Sequence, residues 1–467
     1  MSGDSWIRPA HAAALEAELV PGDGSGVHAL VREDKGGEVD FTSLLLRPDE
    51  VQVSAGVFGT SPLYLVAAGE DLYGSWDLAD LRPHLRPDRL NPRTVARTLT
   101  RRHRYSSDTL FDGMYRLTER ATAVFTTAGL AILYPEPAQH VLEPRRLRAG
   151  VDPVEAFDAL LTEAVAGWRS TVSCVGVEVS GGADSGNVAL STAAAGFSSV
   201  HTFGLLMGGR IGWVQQERRR ILVDHLELRD TTVPAMQYPP FMPGGVRRRG
   251  APHDPAGAFY QEAFDVLRGR VAAHGCEVIF TGGGGDEVNA CHSRTNVQLP
   301  KANPIPWLGN KAVEALVQVD ENLAPVPVLP VPTLMAFGLH NPAYLRHGIW
   351  PVAPLVHPRV VRFMEQLPHE QKQGKAMFRN RLRRAGLSDS VAAPAEPENF
   401  LAVMESGLRS YGLPLLDDML RESMLVDLGY VDPVALAQAR DHAERAPVVP
   451  DLLCDTLALE VGLRSLS

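Results

Sequence analysis

The feature that most constrains the fold is a run of small residues between an apolar strand and a helix. It extends from Glu178 to Gly186 and has the sequence EVSGGADSG. At such a junction the amides of the turn and of the first helical turn point to one spot, which favours an anion there. The sequence therefore predicts a phosphate-binding loop formed by Ser180, Gly181, Gly182 and Ser185.

An acid inside this loop, Asp184, indicates a metal ion. A carboxylate repels phosphate oxygens directly, whereas Mg²⁺ prefers one or two carboxylates together with substrate oxygens. We therefore predict that Asp184 is a magnesium ligand. The alternative, a glycine turn that binds nothing, stays open for this loop taken by itself.

A second glycine run follows another apolar strand, from Phe280 to Glu287, with the sequence FTGGGGDE. Four consecutive glycines cost conformational entropy on folding, so a simple turn explains them poorly. Close contact between backbone and polyphosphate explains them better, with Asp286 as a second magnesium ligand. The residues predicted to bind phosphate here are Gly282, Gly283, Gly284 and Gly285.

The order of the predicted elements indicates an α/β protein with two domains. Residues 27–134 alternate β-rich runs with Gly/Pro turns, which is typical of an antiparallel sheet. Residues 135–153 are rich in proline and charge, as in an exposed connection. Beyond them strands and helices take turns, which predicts a doubly wound parallel sheet covered by helices on both faces, followed by a mainly helical extension. The predicted domains are residues 1–148 and 149–467.

The whole-chain charge excludes some partners. The net charge of −10 disfavours nucleic acid, which a protein grips through a basic surface. Three basic runs, 101–104, 218–220 and 247–249, are either solvated faces and helix ends or docking sites for phosphate or an acidic substrate. No run of 18 apolar residues occurs, so no membrane segment is expected.

Cysteine usage bears on the compartment. The four cysteines have no C-x-x-C spacing, so neither a disulfide framework nor a sulfur-rich metal site is indicated. A reducing, cytoplasmic location is therefore expected.

The two glycine loops resemble those of a known family. The first is similar to the S-G-G-x-D-S loop of ATP pyrophosphatases, and the pair resembles the asparagine synthetase family, where a G-x-G-x-D-E loop comes second. The resemblance implies an antiparallel glutaminase-like domain of the Ntn type and an adenine nucleotide α-hydrolase-like domain with a PP-loop. It also implies ATP and Mg²⁺, and adenylation of a carboxylate that an amine then attacks.

Weaker matches extend the resemblance along the chain. Residues 59–64 (GTSPLY) and 109–113 (TLFDG) resemble the amino-terminal domain of the family. The segment 201–206, which includes Leu205, corresponds to the adenine-binding strand, and Glu217 to an acidic residue that opens the next helix. Residues 374–379 (GKAMFR) resemble the G-K-x-x-L-R helix, which makes Lys375 the predicted catalytic cation.

The chain departs from the family at its amino terminus. Glutamine-dependent members carry a cysteine nucleophile directly after the initiator methionine, whereas Ser2 stands here and no cysteine precedes Cys174. A terminal hydroxyl is a far poorer nucleophile than a thiolate. The first domain is therefore expected to be a degenerate scaffold, as in β-lactam synthetases and lasso-peptide macrolactam synthetases. The expected substrate supplies both a carboxylate and an amine, and a lasso-type enzyme would also need a precursor peptide and a partner protease.

Further departures lie in the last third of the chain. Trp350 aligns with a catalytic glutamate of the family and Val352 with an arginine, and residues 393–400 (APAEPENF) lack a lysine that contacts pyrophosphate. An amine that attacks an acyl-adenylate must lose a proton, so a base is desirable. Several nearby side chains are candidates, and none is preferred: His340, Tyr344, His347 and His357.

Two alternative functions remain. The missing glutamate and lysine also suit a nucleotide-binding scaffold or partner subunit without turnover. A transfer-RNA-modifying ATP pyrophosphatase is opposed by the acidic charge and by the absence of C-x-x-C.

Overall fold

The computed structural model describes residues 40–467 except 48, 142, 146, 171, 257–259, 291–304 and 397, and the backbone alone of residues 16–21 and 27–32. The predictions that concern Ser2 lie outside these residues. Across the described residues no helix is both long and apolar enough to cross a membrane.

The amino-terminal half is built from antiparallel strands, as predicted. These strands are β1 (Glu16–Pro21), β2 (Val27–Arg32), β3 (Phe41–Leu46), β4 (Val51–Ala55), β5 (Leu63–Ala68), β6 (Asp71–Ser75), β7 (Met114–Leu117), β8 (Thr122–Thr126) and β9 (Gly129–Leu133). They form a six-stranded sheet of order β1-β2-β3-β4-β8-β9 and a three-stranded sheet of order β6-β5-β7. Val53 and Phe125 of the first sheet share a core with Leu65 and Leu117 of the second, so the sheets pack together.

The carboxyl-terminal half contains a five-stranded parallel sheet. Its strands are β10 (Cys174–Glu178), β11 (Ser199–Leu206), β12 (Arg229–Pro234), β13 (Val278–Phe280) and β14 (Trp350–Val352). The order β12-β11-β10-β13-β14 and the parallel pairing of every neighbour confirm the predicted sheet. Apolar residues pack on both faces, as a sheet covered by helices requires.

Helices cover this sheet and form the extension. They are α1 (Pro92–Leu99), α2 (Pro153–Ala166), α3 (Ala183–Ala194), α4 (Gly209–His225), α5 (Gln261–Ala273), α6 (Gly285–Asn289), α7 (Asn310–Ala315), α8 (Val331–Arg346), α9 (Pro358–Gln366), α10 (His369–Lys372), α11 (Ala376–Arg384), α12 (Asp389–Ala392), α13 (Leu401–Gly407), α14 (Leu413–Arg421), α15 (Met424–Asp427), α16 (Pro433–Arg445) and α17 (Leu452–Leu466). One face of the sheet packs on α2, α3, α9 and α11 and the other on α5, while α8 contributes apolar residues to both cores.

Local sequence explains where α2 begins. Before α2, the Asp152 carboxylate accepts a hydrogen bond from the Val154 amide at 2.9 Å, and Pro153 occupies the first helical position. The predicted boundary near residue 150 stays a prediction; it lies between the end of β9 and the start of α2.

The two halves contact each other along α8. Asn341 donates a hydrogen bond from Nδ2 to the carbonyl of Thr60 at 2.8 Å, and Arg116 donates from Nη2 to the carbonyl of Leu334 at 2.9 Å. The buried carboxylate of Glu119 accepts from the amide of Val328 at 2.9 Å. The antiparallel half therefore supports the helix that precedes β14 in the parallel sheet.

Candidate active site

The two glycine loops meet at one edge of the parallel sheet. Strands β10 and β13 are neighbours, with Val175 opposite Val278, and each loop leaves the carboxyl end of its strand. A Cβ atom added to Gly282 would lie 2.9 Å from the Ser185 amide nitrogen, and one added to Gly285 would lie 2.3 Å from Cγ of Asp184. Only glycine allows this approach, so the second loop packs directly against the first.

The first loop holds its polar groups inward. Gly181 has φ +95°, a conformation that suits glycine. The amide of Ser180 donates to Oγ of Ser185 at 3.1 Å, and the amide of Gly182 donates to Oγ of Ser180 at 3.2 Å. Both predicted hydroxyls therefore lie within the turn, where they can exchange these bonds for bonds to an anion.

A lysine joins the acids of the two loops. Nζ of Lys375 lies 2.6 Å from Oδ2 of Asp184 and 2.6 Å from Oδ1 of Asp286. The structure thus brings together the predicted cation and both predicted metal ligands, although Lys375 lies far from either acid in sequence. The arrangement places one positive and two negative charges beside the turn that is predicted to bind phosphate.

The backbone of Lys375 differs from the expectation. The residue was predicted to lie on a helix, but it has φ 59° and ψ 34°, the left-handed region, and α11 begins only at Ala376. Gly374 before it also has a positive φ of 57°. A lysine held in this region costs about 1–3 kcal/mol, and such strain clusters at functional sites. The strained turn directs the ammonium group at the acids.

Burial and charge oppose each other at this cluster. Burial raises the pKa of Asp184, and the nearby Lys375 only partly offsets this effect. Burial also acts to lower the pKa of Lys375, but its two acidic neighbours outweigh burial and raise it. A further positive charge at the acids would therefore be favourable.

The acids fit a magnesium ion. Oδ1 of Asp184 is buried and, among the described residues, has no hydrogen-bond partner, while the side chain of Asp286 is 82% exposed. Within the described ranges no group of three or more His, Cys, Asp or Glu forms a metal site, so further ligands would come from phosphate and water. Mg²⁺ held by these two carboxylates would supply charge neutralisation for a triphosphate.

The strand predicted to bind adenine is present as β11, with one correction nearby. Leu205 lies in β11 and is buried, and its carbonyl accepts a hydrogen bond from Nε2 of Gln215 at 2.9 Å. The same nitrogen lies 2.9 Å from the carbonyl of Ser180. Gln215, which sequence reasoning missed, thus connects β11 to the first glycine loop. Glu217 does not open the helix as expected: α4 begins at Gly209, and Glu217 pairs with Arg220 on its exposed face.

The four candidate bases lie in different surroundings and have different hydrogen-bond partners. Tyr344 donates to Oε2 of Glu178 at 2.6 Å, beside the first loop, but burial raises its pKa well above its usual value. Burial lowers the pKa of His340 to about 4. His347 lies 3.0 Å from Asp265.

The remaining candidate, His357, precedes α9, where Nδ1 accepts from the Arg359 amide at 3.3 Å. Of the four candidates, Tyr344 contacts a residue next to the first glycine loop, and its high pKa makes it a poor base by itself.

The positions that depart from the family have structural roles. Trp350 is 1% exposed and packs in the core on one face of the sheet. The Val352 carbonyl accepts from the Thr281 amide at 2.8 Å, next to the second loop. Neither side chain can take over the chemistry of an acid or an arginine.

Two further residues at the loop were missed by sequence reasoning. Arg218 is buried at 2% exposure, and its Nη2 lies 2.6 Å from Oε2 of Glu398. Arg218 belongs to the basic run 218–220, for which solvated faces and helix ends were one interpretation, and the burial of Arg218 shows that this interpretation is wrong for this residue. The only sequence signals were this run and the absence of lysine from residues 393–400.

A parallel sheet with two touching glycine loops and paired acids defines the class of α/β proteins that carry an ATP pyrophosphatase loop. Residues 156–327 match the family model described as asparagine synthase, a range that contains both glycine loops and ends before Lys375. This part of the chain is therefore an asparagine synthase domain, and such a domain implies an ATP-dependent, amide-bond-forming ATP pyrophosphatase activity. Comparison with curated proteins gave no significant match.

Proposed function

We propose that the protein adenylates a substrate carboxylate and joins it to an amine without hydrolysing glutamine. The contact of Lys375 with both Asp184 and Asp286 carries this proposal, because it joins two acids and a cation at the mouth of a phosphate-binding turn. A triphosphate seated there would meet backbone amides, hydroxyl groups and a fixed positive charge. These groups stabilise the negative charge that develops on departing pyrophosphate.

The reaction has two steps. A carboxylate oxygen of the substrate attacks the α-phosphorus of ATP, the bond to the β-phosphate oxygen breaks, and pyrophosphate leaves with that electron pair. The amine nitrogen then attacks the acyl carbon, AMP leaves, and the amine proton passes to a base or to water. The turn and Lys375 act in the first step, adenylation. The site contains more of the groups that adenylation needs than of the groups that the attack by the amine needs.

The substrate is proposed to provide its own amine. The sequence has no cysteine before Cys174 that could act as a glutaminase nucleophile. In the most specific version the substrate is a peptide and the product a lasso-type macrolactam within specialised peptide or natural-product biosynthesis. That version also involves a precursor peptide and a partner protease.

Pyrophosphate exchange tests the adenylation step. The whole protein is incubated with ATP, Mg²⁺, labelled pyrophosphate and a panel of peptides and small carboxylates, and label that appears in ATP reports reversible adenylation. We expect exchange with at least one carboxylate in the wild type and in Asp224→Ala, which changes an exposed acid of α4, but not in Asp184→Ala. Parallel assays with glutamine should release no glutamate. Glutamate release that requires this protein would contradict the proposal that it does not hydrolyse glutamine.

A second candidate function is a nucleotide-binding scaffold without turnover. The observation that favours it is the burial of Trp350 in the core where the family has a catalytic acid. Tight MgATP binding together with silence across the whole carboxylate panel would support the scaffold, because a protein with turnover should adenylate at least one carboxylate of the panel.

A further inference from the structure

A carboxylate faces the phosphate-binding turn. Oε1 of Glu398 would lie 3.1 Å from a Cβ atom added to Gly182, and Oγ of Ser180 would lie 3.3 Å from the same point. The carboxylate and the loop hydroxyl therefore lie on the same side of the turn. The resemblance implies that the family has a lysine in the segment that corresponds to residues 393–400. In this chain Glu398 lies next to the turn, so a negative charge takes the place of a positive one.

A buried arginine holds this carboxylate. Arg218 donates from Nη2 to Oε2 of Glu398 at 2.6 Å and from Nε to the carbonyl of Gly181 at 3.1 Å. Its third contact is a bond from Nη1 to the backbone carbonyl of Glu396 at 3.0 Å. The guanidinium thus connects the turn to the segment that carries Glu398.

A second buried guanidinium lies against the same turn. Arg219 is 1% exposed, and its Cγ would lie 3.3 Å from a Cβ atom added to Gly181. Its Nη2 pairs with Asp230 at 2.6 Å, whereas Nε and Nη1 are buried and, within the described part of the chain, have no hydrogen-bond partner. Each arginine is therefore paired with one carboxylate, and Arg219 keeps two buried donors without a partner in the described residues beside the turn.

We propose that Arg218 and the Gly181–Gly182 turn form a binding site for a phosphate group, and that Glu398 fills this site until the phosphates of ATP or pyrophosphate replace it. A carboxylate between an arginine and a glycine turn has the charge and the acceptor oxygens of the ligand that the turn suits. Arg218 then supplies the positive charge that, in the family, comes from a lysine in the segment corresponding to residues 393–400. This inference rests on the proposed function, because it assumes that ATP binds at the turn.

The proposal has a measurable consequence for affinity. An anion that enters the site must displace Glu398. Part of the binding free energy of the anion therefore offsets the loss of the ion pair between Glu398 and Arg218. Glu398→Gln keeps the shape of the side chain, removes its charge and weakens that pair. Pyrophosphate and MgATP should therefore bind about tenfold more tightly to Glu398→Gln than to the wild type.

A matched variant separates this effect from a general change in charge. Glu396 lies two residues earlier, and its side chain pairs with the exposed Arg210 rather than with the turn. Glu396→Gln removes one negative charge from the same segment, and we expect less than a twofold change in either dissociation constant.

Isothermal titration of the whole protein with pyrophosphate and with MgATP tests the proposal, after thermal unfolding has shown that each variant is folded. Tighter binding by Glu398→Gln but not by Glu396→Gln is the expected result. Equal or weaker binding by Glu398→Gln, while the wild type binds both ligands, would overturn this inference and leave the proposed function intact. If the wild type and Glu398→Gln both bind neither ligand, the proposed function fails as well.

A variant of the arginine gives a second measurement. Arg218→Gln removes the cation, so pyrophosphate should bind at least tenfold more weakly in Arg218→Gln than in the wild type. Pyrophosphate affinity that survives in a folded Arg218→Gln protein would contradict the assignment of this residue.

Discussion

Lys375 lies between two acids from different loops, with Nζ 2.6 Å from Asp184 and 2.6 Å from Asp286. Each loop leaves the end of a different strand, and the lysine comes from a third part of the chain. The three groups therefore meet only in the folded protein. Their shared position at the mouth of the turn makes each of them a target for substitution.

Replacing either acid should abolish ATP-dependent activity and keep the fold. Asp184→Ala and Asp286→Ala each remove a proposed magnesium ligand at a polar site outside the hydrophobic core, so the unfolding midpoint should change little. The measurement is pyrophosphate exchange at saturating Mg²⁺, with thermal unfolding as the check on folding. Turnover close to that of the wild type in either variant would show that the magnesium assignment is wrong.

Replacing the lysine should affect turnover more than affinity. Lys375→Ala removes a cation proposed to stabilise charge on departing pyrophosphate, so we expect kcat to fall about 100-fold with a much smaller change in KM for ATP. Steady-state kinetics across ATP concentrations give both quantities. The control is Lys311→Ala, because Lys311 packs on the Tyr430 ring rather than at the loops. Equal losses in kcat and affinity would indicate that Lys375 binds the ground state.

A histidine in the connection between the halves should make stability depend on pH. Nδ1 of His140 lies 2.5 Å from Oε1 of Glu365, and this hydrogen bond raises the pKa of His140. The folded state thus favours protonated histidine. The stabilisation is complete below the unfolded pKa near 6.5 and is lost as the pH rises through the raised folded pKa.

The variant that checks this is His140→Gln. Its free energy of unfolding should be lower than that of the wild type by on the order of 1 kcal/mol at pH 6, and the difference should shrink as the pH rises. Urea unfolding from pH 5.5 to 9 measures it, with His225→Gln, an exposed residue of α4, as control. A difference that grows with pH would contradict the assigned direction.

Placing the glutamate of the family at position 350 should destabilise the protein. Trp350→Glu puts a carboxylate into the core and leaves a cavity, so the free energy of unfolding should fall by about 4 kcal/mol or more. Trp350→Phe keeps an aromatic ring and should cost less, about 1–3 kcal/mol. Urea unfolding of both variants measures the costs. A Trp350→Glu protein as stable as the wild type would show that this position is not a core position.

The parts of the site predicted from sequence are those with strong local signals. An apolar run followed by glycines and an acid defines both loops, and parallel strands that end at one edge bring the two loops together. The start of α4 was missed because Gly209 begins it with no capping side chain to signal the position. The left-handed conformation of Lys375 was missed because lysine rarely adopts it.

Other parts of the site depend on contacts between distant residues. Arg218 and Glu398 are 180 positions apart, and nothing in either local sequence indicates that they pair. Trp350 could be aligned with a catalytic acid, but its burial depends on packing from several helices. Such contacts form only in the folded protein. The local sequence around each residue does not indicate which distant residue it will contact.

The most direct test is a crystal structure of the whole protein with Mn²⁺ and an ATP analogue that resists cleavage between the α and β phosphates. Anomalous scattering locates the metal independently of the model of the ligand. We predict a manganese peak in contact with Asp184 and Asp286, with the phosphates on the turn at Gly181 and Gly182. A nucleotide and metal bound at another place, with both acids still held by Lys375, would contradict the account.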